Sequence, residues 1–160
     1  MINIRIEKRE NFISRWFVVR FAALPARIEG GGIRLRHTLM PGGNTGCTVR
    51  YRIEKTGGSG KNKKFHHIGF IGLYNIDPQK SAEIAMEISE GERGKGAGSA
   101  SLGLFLALLR KKRPIADELV ARVRADNESA LRLFKKFNFS GEASGPGGLF
   151  RLRRALKAEK

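Results

Sequence analysis

One segment constrains the fold of this chain more than any other: residues 82–99, which read AEIAMEISEGERGKGAGS. In its first half Ile84, Met86 and Ile88 alternate with small or polar residues, which is the period-two pattern of a half-buried strand. The glycines that follow allow positive φ angles and the close approach of a ligand. An apolar helix comes next, and the free N–H groups at a helix start attract anions. The segment therefore predicts a phosphate-binding loop between a strand and a helix.

Two common phosphate-binding motifs do not fit this loop. A P-loop requires Ser or Thr directly after its Gly-Lys pair, but Gly96 follows Lys95 here. A dinucleotide-binding fingerprint requires a glycine three positions after Gly96, and that position is Ser99. The residues from Arg93 to Gly98 match a different pattern, Arg-x-x-Gly-x-Gly.

This pattern resembles the acyl-CoA pyrophosphate loop of the GNAT N-acetyltransferase superfamily. The strand before it is similar to the central strand of that family, with Ile88 in the aliphatic position that precedes the loop. Residues 120–139 resemble the family's second signature, in which a strand, an Asn and a short helix precede a Gly-Phe pair. The matching positions are Asn127, Ala130, Leu131, Leu133 and Phe134. The resemblance covers roughly residues 65–152, and the spacing is most similar to that of spermidine and ribosomal-protein N-terminal acetyltransferases.

The resemblance implies an α/β (α+β) fold with a central, mixed, mostly antiparallel twisted sheet. Such a sheet has about six or seven strands, splays at the acyl-CoA site and is flanked by about three or four helices. A chain of 160 residues is long enough for one domain with a hydrophobic core. We therefore expect residues 1–160 to form a single acetyltransferase domain.

The remaining elements are predicted from apolar spacing and turn residues. Strands are predicted at residues 1–7, 33–36, 48–55, 65–76, 119–124, 139–143 and 148–154. Helices are predicted at residues 11–23 and 99–112, with a last helix that is capped by Asp126 or Asn127 and ends near Phe137. Residues 29–46 are rich in glycine and are predicted to form a loop around the short strand at 33–36.

The charge of the chain is extreme, with a formal net charge of +16 and a pI of about 10.8. Such a charge favours polyanionic partners, among them RNA or the ribosome, although a merely solvated basic surface explains it equally well. Five acidic residues cluster around the central strand, which suggests a local site for a cationic group: Asp77, Glu83, Glu87, Glu90 and Glu92. The single cysteine, together with the lack of a signal-peptide pattern or an apolar run of membrane-spanning length, predicts a cytoplasmic protein.

The resemblance assigns acetyl-CoA as the cofactor. The positions that it assigns to acetyl-CoA binding are Ile88, Ser89, Arg93, Gly94, Lys95, Gly96, Ala97, Gly98, Ser99, Asn127 and Phe134. By the same resemblance, a backbone N–H at or near Ile88 polarises the thioester, and the loop N–H groups bind the pyrophosphate. Asn127 is assigned either to the pantetheine or to the start of the last helix. No metal site is expected, because three histidines and one cysteine show no metal-ligand spacing.

Amine acetylation requires the amine to lose a proton, and Glu83 or Glu87 is the candidate base. Glu83 is preferred, because the resemblance places an Ala-Glu pair at this spacing in polyamine-type members. The family's usual general acid is a Tyr, but Phe134 occupies its position here. Three alternatives remain: the thiolate leaves without a dedicated acid, the domain is a weak catalyst, or another hydroxyl substitutes. The candidate hydroxyls are those of Tyr51, Tyr74 and Ser140.

The predicted function is acetyl-CoA-dependent N-acetylation of a primary amine by direct transfer in a ternary complex. The acceptor is a protein N-terminus, a polyamine or another small amine. The positive field favours a ribosomal or other protein N-terminus, or an amine on a polyanion such as aminoacyl-tRNA or a nucleotide-sugar, over a free polycation. The alternative is a catalytically weak GNAT scaffold that serves as an RNA- or ribosome-binding module. A homodimer is compatible with the sequence.

Overall fold

The computed structural model describes residues 24–38, 49–57, 64–77, 81–111, 116–144 and 148–156. The predicted strand at 1–7 and helix at 11–23 lie outside these residues. The strands are β1 (Arg27–Gly30), β2 (Ile33–Thr38), β3 (Val49–Gly57), β4 (Lys64–Tyr74), β5 (Ser81–Ile88), β6 (Glu118–Arg124), β7 (Ser140–Ser144) and β8 (Leu149–Ala155). The helices are α1 (Ala97–Lys111) and α2 (Glu128–Lys136), with a 3-10 turn at Glu90–Glu92.

All eight strands of the described residues join one sheet, in the order β1-β2-β3-β4-β5-β6-β8-β7. Every neighbouring pair is antiparallel except β5 and β6, which run parallel. A parallel pair needs a crossover connection, and α1 provides it. The structure confirms the predicted mixed, mostly antiparallel sheet, with eight strands where the sequence predicted about six or seven.

The additional strand is β1, which the sequence analysis placed in a glycine-rich loop. Gly31 and Gly32 both have positive φ angles, 57° and 76°, and form the two-residue turn that pairs β1 with β2. A two-residue hairpin turn with positive φ at both positions favours Gly-Gly. The prediction of a loop over residues 29–46 is therefore wrong at its start.

Helix α1 covers one face of the sheet because its apolar residues recur at helical spacing. Its Leu102, Phe105 and Leu109 are at most 1% exposed. Phe105 contacts the ring of Tyr51 on β3 with centroids 5.8 Å apart. The helix begins at Ala97, two residues earlier than predicted.

Helix α2 lies beside α1, so the two described helices share the same side of the sheet. A Cβ added at Gly98 of α1 would lie 3.4 Å from Leu133 of α2 and 3.5 Å from Met86 of β5. The terminal hairpin then follows as predicted, with β8 inserted between β6 and β7. This packing brings the start of α1, the start of α2 and the end of β5 into one region.

Candidate functional site

The sheet opens where β5 meets β6. The two strands pair only through Ser81, Ala82 and Glu83 of β5, whereas β6 stays paired with β8 as far as Arg124. The second half of β5 therefore keeps β4 as its only described strand neighbour. This opening is the splay that the sequence analysis predicted.

The backbone of β5 turns specific groups toward this opening. The Ser89 N–H donates to the Ile68 carbonyl at 2.8 Å, which sets the alternation of the β4–β5 ladder. In an antiparallel pair, alternate residues direct their backbone groups to the same neighbour. The N–H groups of Met86 and Ile88 therefore point away from β4, toward the opening.

The loop after β5 is a compact turn that ends at the start of α1. The Glu92 N–H donates to the Ser89 carbonyl, and the Arg93 side chain donates to the Ile88 carbonyl at 2.9 Å. Gly94 and Gly96 have φ angles of 72° and 82°, and a Cβ at either position would meet nothing within 4 Å. The loop thus leaves open, exposed space in front of the helix N-terminus, where free N–H groups and the helix dipole favour an anion.

Two lysines from other elements, Lys55 and Lys136, lie beside this loop, and neither was assigned to it from the sequence. Lys55 of β3 donates to the Glu92 carboxylate at 2.6 Å, and Lys95 lies 3.8 Å from the other oxygen of the same carboxylate. The hydrogen bond from Lys55 and the nearby positive charges hold the pKa of Glu92 below its ordinary value. On the other side, Lys136 of α2 donates to the Ser99 hydroxyl at 3.1 Å. Cations from two other elements therefore flank the loop.

The residues of the second signature, 120–139, include those that begin, pack and end helix α2. The Asn127 side chain caps α2 by accepting from the Ala130 N–H at 3.1 Å. Phe134 is 6% exposed and packs on Phe139 with ring centroids 5.0 Å apart. Asn138, where the family pattern has Gly, adopts a φ of 60°, as expected for a residue that ends a helix in the left-handed conformation.

The two candidate bases lie on the face of β5 opposite α1, because Met86 and Ile88 occupy the helix side. Glu83 forms an ion pair with Arg122 of β6 at 2.6 Å. Glu87 is exposed, lies beyond the last β5–β6 pair, and is not ion-paired to any described residue. The structure thus distinguishes a paired carboxylate at the closed end of the opening from an unpaired one farther along.

The candidate general acids differ in their freedom to reach a ligand. Tyr51 is fully buried, and its hydroxyl donates to the Pro25 carbonyl at 2.9 Å. Burial raises the pKa of Tyr51 to about 12, which makes it a poor proton donor. Tyr74 is half-buried on β4 directly opposite Glu83, and Ser140 is exposed at the start of β7. Of the three hydroxyls, Tyr74 lies nearest in the sheet register to the candidate bases.

The structure is that of a mixed α/β protein with an exposed glycine loop beside the split in its sheet, and the sequence predicted a fold of this class. The chain belongs to the acetyltransferase (GNAT) family, whose model matches residues 53–139, more than half of the 160 residues. No curated protein sequence matches the chain.

Several solved structures share the fold. A domain from Methanocaldococcus jannaschii aligns with a TM-score of 0.56 and 19% identity, over 68% of this chain and 66% of that one. Spermidine N-acetyltransferase from Vibrio cholerae, in complex with CoA and spermine, aligns with a TM-score of 0.55, 19% identity and the same coverage. Campylobacter jejuni N-acetyltransferase PseH, in complex with acetyl coenzyme A, aligns with a TM-score of 0.52 and 16% identity over 69% of each chain. The chain thus spans slightly less than two thirds of the first two structures.

Within the described residues, no helix has the length and apolar character needed to cross a membrane. The same residues contain no group of three or more His, Cys, Asp or Glu side chains suited to hold a metal ion.

Proposed function

We propose that this protein is an acetyl-CoA-dependent N-acetyltransferase that moves the acetyl group directly to a primary amine in a ternary complex. The observation that carries the proposal is the opening between β5 and β6, which leads straight to the exposed glycine loop at the start of α1. Membership of the acetyltransferase family supports the reaction type. We also propose that residues 1–160 form one domain. The homodimer and the cytoplasmic location stay predictions.

The residues at the loop fit the phosphates of a CoA ester. The space in front of Gly94 and Gly96 is open, and Lys95, Lys55 and Lys136 lie around it. Two structural neighbours were solved with CoA or acetyl coenzyme A. Acetyl-CoA, when bound, supplies an acetyl thioester that an amine can attack.

The protein's own residues supply orientation and electrostatic stabilisation. The Ile88 N–H points into the opening, and Arg93 holds the Ile88 carbonyl, which fixes the peptide in place. A fixed N–H donor in a site of this kind stabilises developing negative charge without reorganisation. Holding two reactants in one geometry also replaces a bimolecular encounter.

We assign Glu87 as the base that accepts a proton from the ammonium group of the acceptor, so that the neutral amine can attack the thioester. Its carboxylate is exposed beside the open half of β5, whereas the Glu83 carboxylate is occupied by Arg122. This assignment reverses the preference for Glu83 that the resemblance suggested. No dedicated acid is assigned, because a thiol with an ordinary pKa near 8.5 leaves readily as thiolate.

A thermal-shift titration with acetyl-CoA tests the proposal, with ATP as a polyphosphate control at moderate salt. A ligand that binds only the folded protein stabilises it by RT ln(1 + [L]/Kd). We expect a clear rise in melting temperature with acetyl-CoA and little with ATP, followed by thiol release when amines are added. Equal shifts with both ligands would contradict a specific acetyl-CoA site. That result would favour the alternative of an RNA-binding module, which the family match does not favour.

Replacing Glu87 by Gln should lower kcat for amine acetylation by about 100-fold, because general-base catalysis typically contributes this much or more. The KM for acetyl-CoA should stay within about twofold, since the loop is unchanged. Glu83→Gln should have the smaller effect on kcat, and Glu142→Gln, an exposed carboxylate on β7, is the control. A larger loss of kcat in Glu83→Gln would identify Glu83 as the base.

Replacing Lys55 by Met should weaken acetyl-CoA binding by about three- to tenfold, because Glu92 then loses its hydrogen-bonded cation and only Lys95, 3.8 Å away, offsets its negative charge beside the proposed phosphate site. The double variant Lys55→Met/Glu92→Gln should recover most of this loss. Calorimetric titration of acetyl-CoA measures both affinities, and melting temperatures should change little, since a single ion pair that solvent still reaches stabilises weakly. Equal affinities of the single and double variants would show that Lys55 contacts the phosphates itself.

A further inference from the structure

A row of arginines crosses the face of the sheet that α1 does not cover. Arg27 on β1 pairs with Arg36 on β2, and Arg36 pairs with Arg52 on β3. Directly cross-strand residues share a face, so these three side chains, the arginine row, project from the same side. Their side chains are 65%, 65% and 46% exposed.

The arginine row leads to the proposed base. Arg52 pairs with Phe70 on β4, and Phe70 pairs with Glu87 on β5. At about 4.8 Å between strands, the row spans about 10 Å, and Glu87 lies about 10 Å beyond its near end. An amine at Glu87 and the arginine row can therefore contact the same extended molecule.

The acidic residues on this part of the face do not cancel the row. Glu29 is held by Arg34 at 2.8 Å, and Arg27 of the row lies 3.8 Å from the same carboxylate oxygen. The carboxylate of Glu54 is almost fully buried and lies 3.9 Å from Arg36 and 3.7 Å from Arg52, farther than hydrogen-bond distance. Two carboxylates thus face four guanidinium groups, and the surface keeps a net positive charge.

One aromatic ring, that of Phe70, lies between the row and the base, and a second lies beside the row. Phe70 is half-buried, with the Arg50 guanidinium 3.7 Å above its ring and the His67 ring 4.6 Å from it. Phe65, on the same strand, lies under Arg34 with the guanidinium 3.2 Å from the ring centroid. Arginine planes and aromatic rings on an open sheet are groups on which nucleic-acid bases stack.

We propose that the acceptor amine is carried on an RNA whose phosphates bind the arginine row while the amine reaches Glu87. This proposal rests on the proposed acetyltransferase function and names its substrate class. One guanidinium group can donate two parallel hydrogen bonds to phosphate oxygens. An RNA backbone repeats its phosphates, so one RNA can contact all three arginines of the row. The two adjacent phosphates of a nucleotide-sugar do not span about 10 Å, and a free polyamine is repelled by the row.

The test compares two acceptors that carry the same amine: an RNA hairpin esterified at its 3′ end with an amino acid, and the methyl ester of that amino acid. Acetylation is followed by thiol release from acetyl-CoA. The test variant is Arg36→Gln/Arg52→Gln. The matched control is Arg151→Gln/Arg153→Gln, which removes equal charge from exposed positions on β8 of the same face.

We expect the wild type to prefer the RNA ester, and the test variant to lower kcat/KM for it by about tenfold or more. The methyl ester rate and the acetyl-CoA thermal shift should stay unchanged. The control variant should lower kcat/KM for the RNA ester by less than about threefold. In the wild type, raised salt should lower kcat/KM for the RNA ester.

Three results would overturn the RNA assignment: equal use of both esters, an equal loss in the control variant, or better acetylation of an acidic peptide N-terminus through the same arginines. In each of these results the acetyl-CoA thermal shift persists. Loss of that shift in the wild type would instead contradict the proposed function itself.

Discussion

Gly96→Trp is expected to abolish acetyl-CoA binding, with at least a 100-fold rise in Kd. Gly96 has a φ of 82°, and the position of its missing Cβ faces open space in front of the loop. A tryptophan there would occupy the place where the phosphates are proposed to lie. The side chain also strains the backbone, at a cost of about 1–3 kcal/mol in the free energy of unfolding. Calorimetry with acetyl-CoA measures the affinity, and circular dichroism checks the fold.

Gly91→Trp is the matched control for bulk in the same loop. Gly91 lies in the 3-10 turn before the proposed phosphate site, meets nothing within 4 Å and does not have a positive φ. We expect this variant to bind acetyl-CoA within about threefold of wild type, because Gly91 is outside the positions assigned to the phosphates. Normal binding by Gly96→Trp would show that the acyl-CoA site lies elsewhere.

Phe105→Ala should cost about 3–5 kcal/mol of unfolding free energy, the typical range for removing a buried aromatic ring. Phe105 is fully buried between α1 and the sheet, where it contacts Tyr51. For a chain of this size the melting temperature should fall by about 10 °C. Alanine is the best helix former, so the loss reports packing and not helix propensity.

Denaturant unfolding of the ligand-free protein measures this effect, with Arg110→Ala as the control. Arg110 lies on the exposed side of the same helix, and its replacement should change the free energy of unfolding by less than about 0.5 kcal/mol. A fall of less than about 1 kcal/mol in Phe105→Ala would contradict the packing of α1 on the sheet described here.

The strand, loop and helix around residues 82–99 were predictable because each is specified locally. Alternation marked β5, glycines marked the turn, and apolar spacing marked α1. The second signature was equally local, since Asn127 caps α2 and Asn138 takes the left-handed conformation that ends it. These short-range features were enough to predict the family and the general form of the sheet.

The first hairpin was missed although its signal is present. Gly31-Gly32 stands between Ile28 and Ile33, which is the pattern of a two-residue turn between strands. The surrounding glycines masked it, because a glycine-rich segment also favours a loop. Residues 27–30 form a strand because they pair with β2, and their backbone gains this hydrogen-bonded partner only in the folded sheet.

Local residue patterns were enough to predict the glycine loop, the helix that follows it and the two candidate carboxylates. The folded sheet was needed to show that Arg122 forms an ion pair with Glu83, that Lys55 donates to Glu92 and that the arginine row leads toward Glu87. The partners of these residues could not be predicted, because charged side chains on exposed strand positions carry no periodic signal about what they pair with. Strand register and the opening between β5 and β6 set those partners, and both depend on residues far apart in the chain.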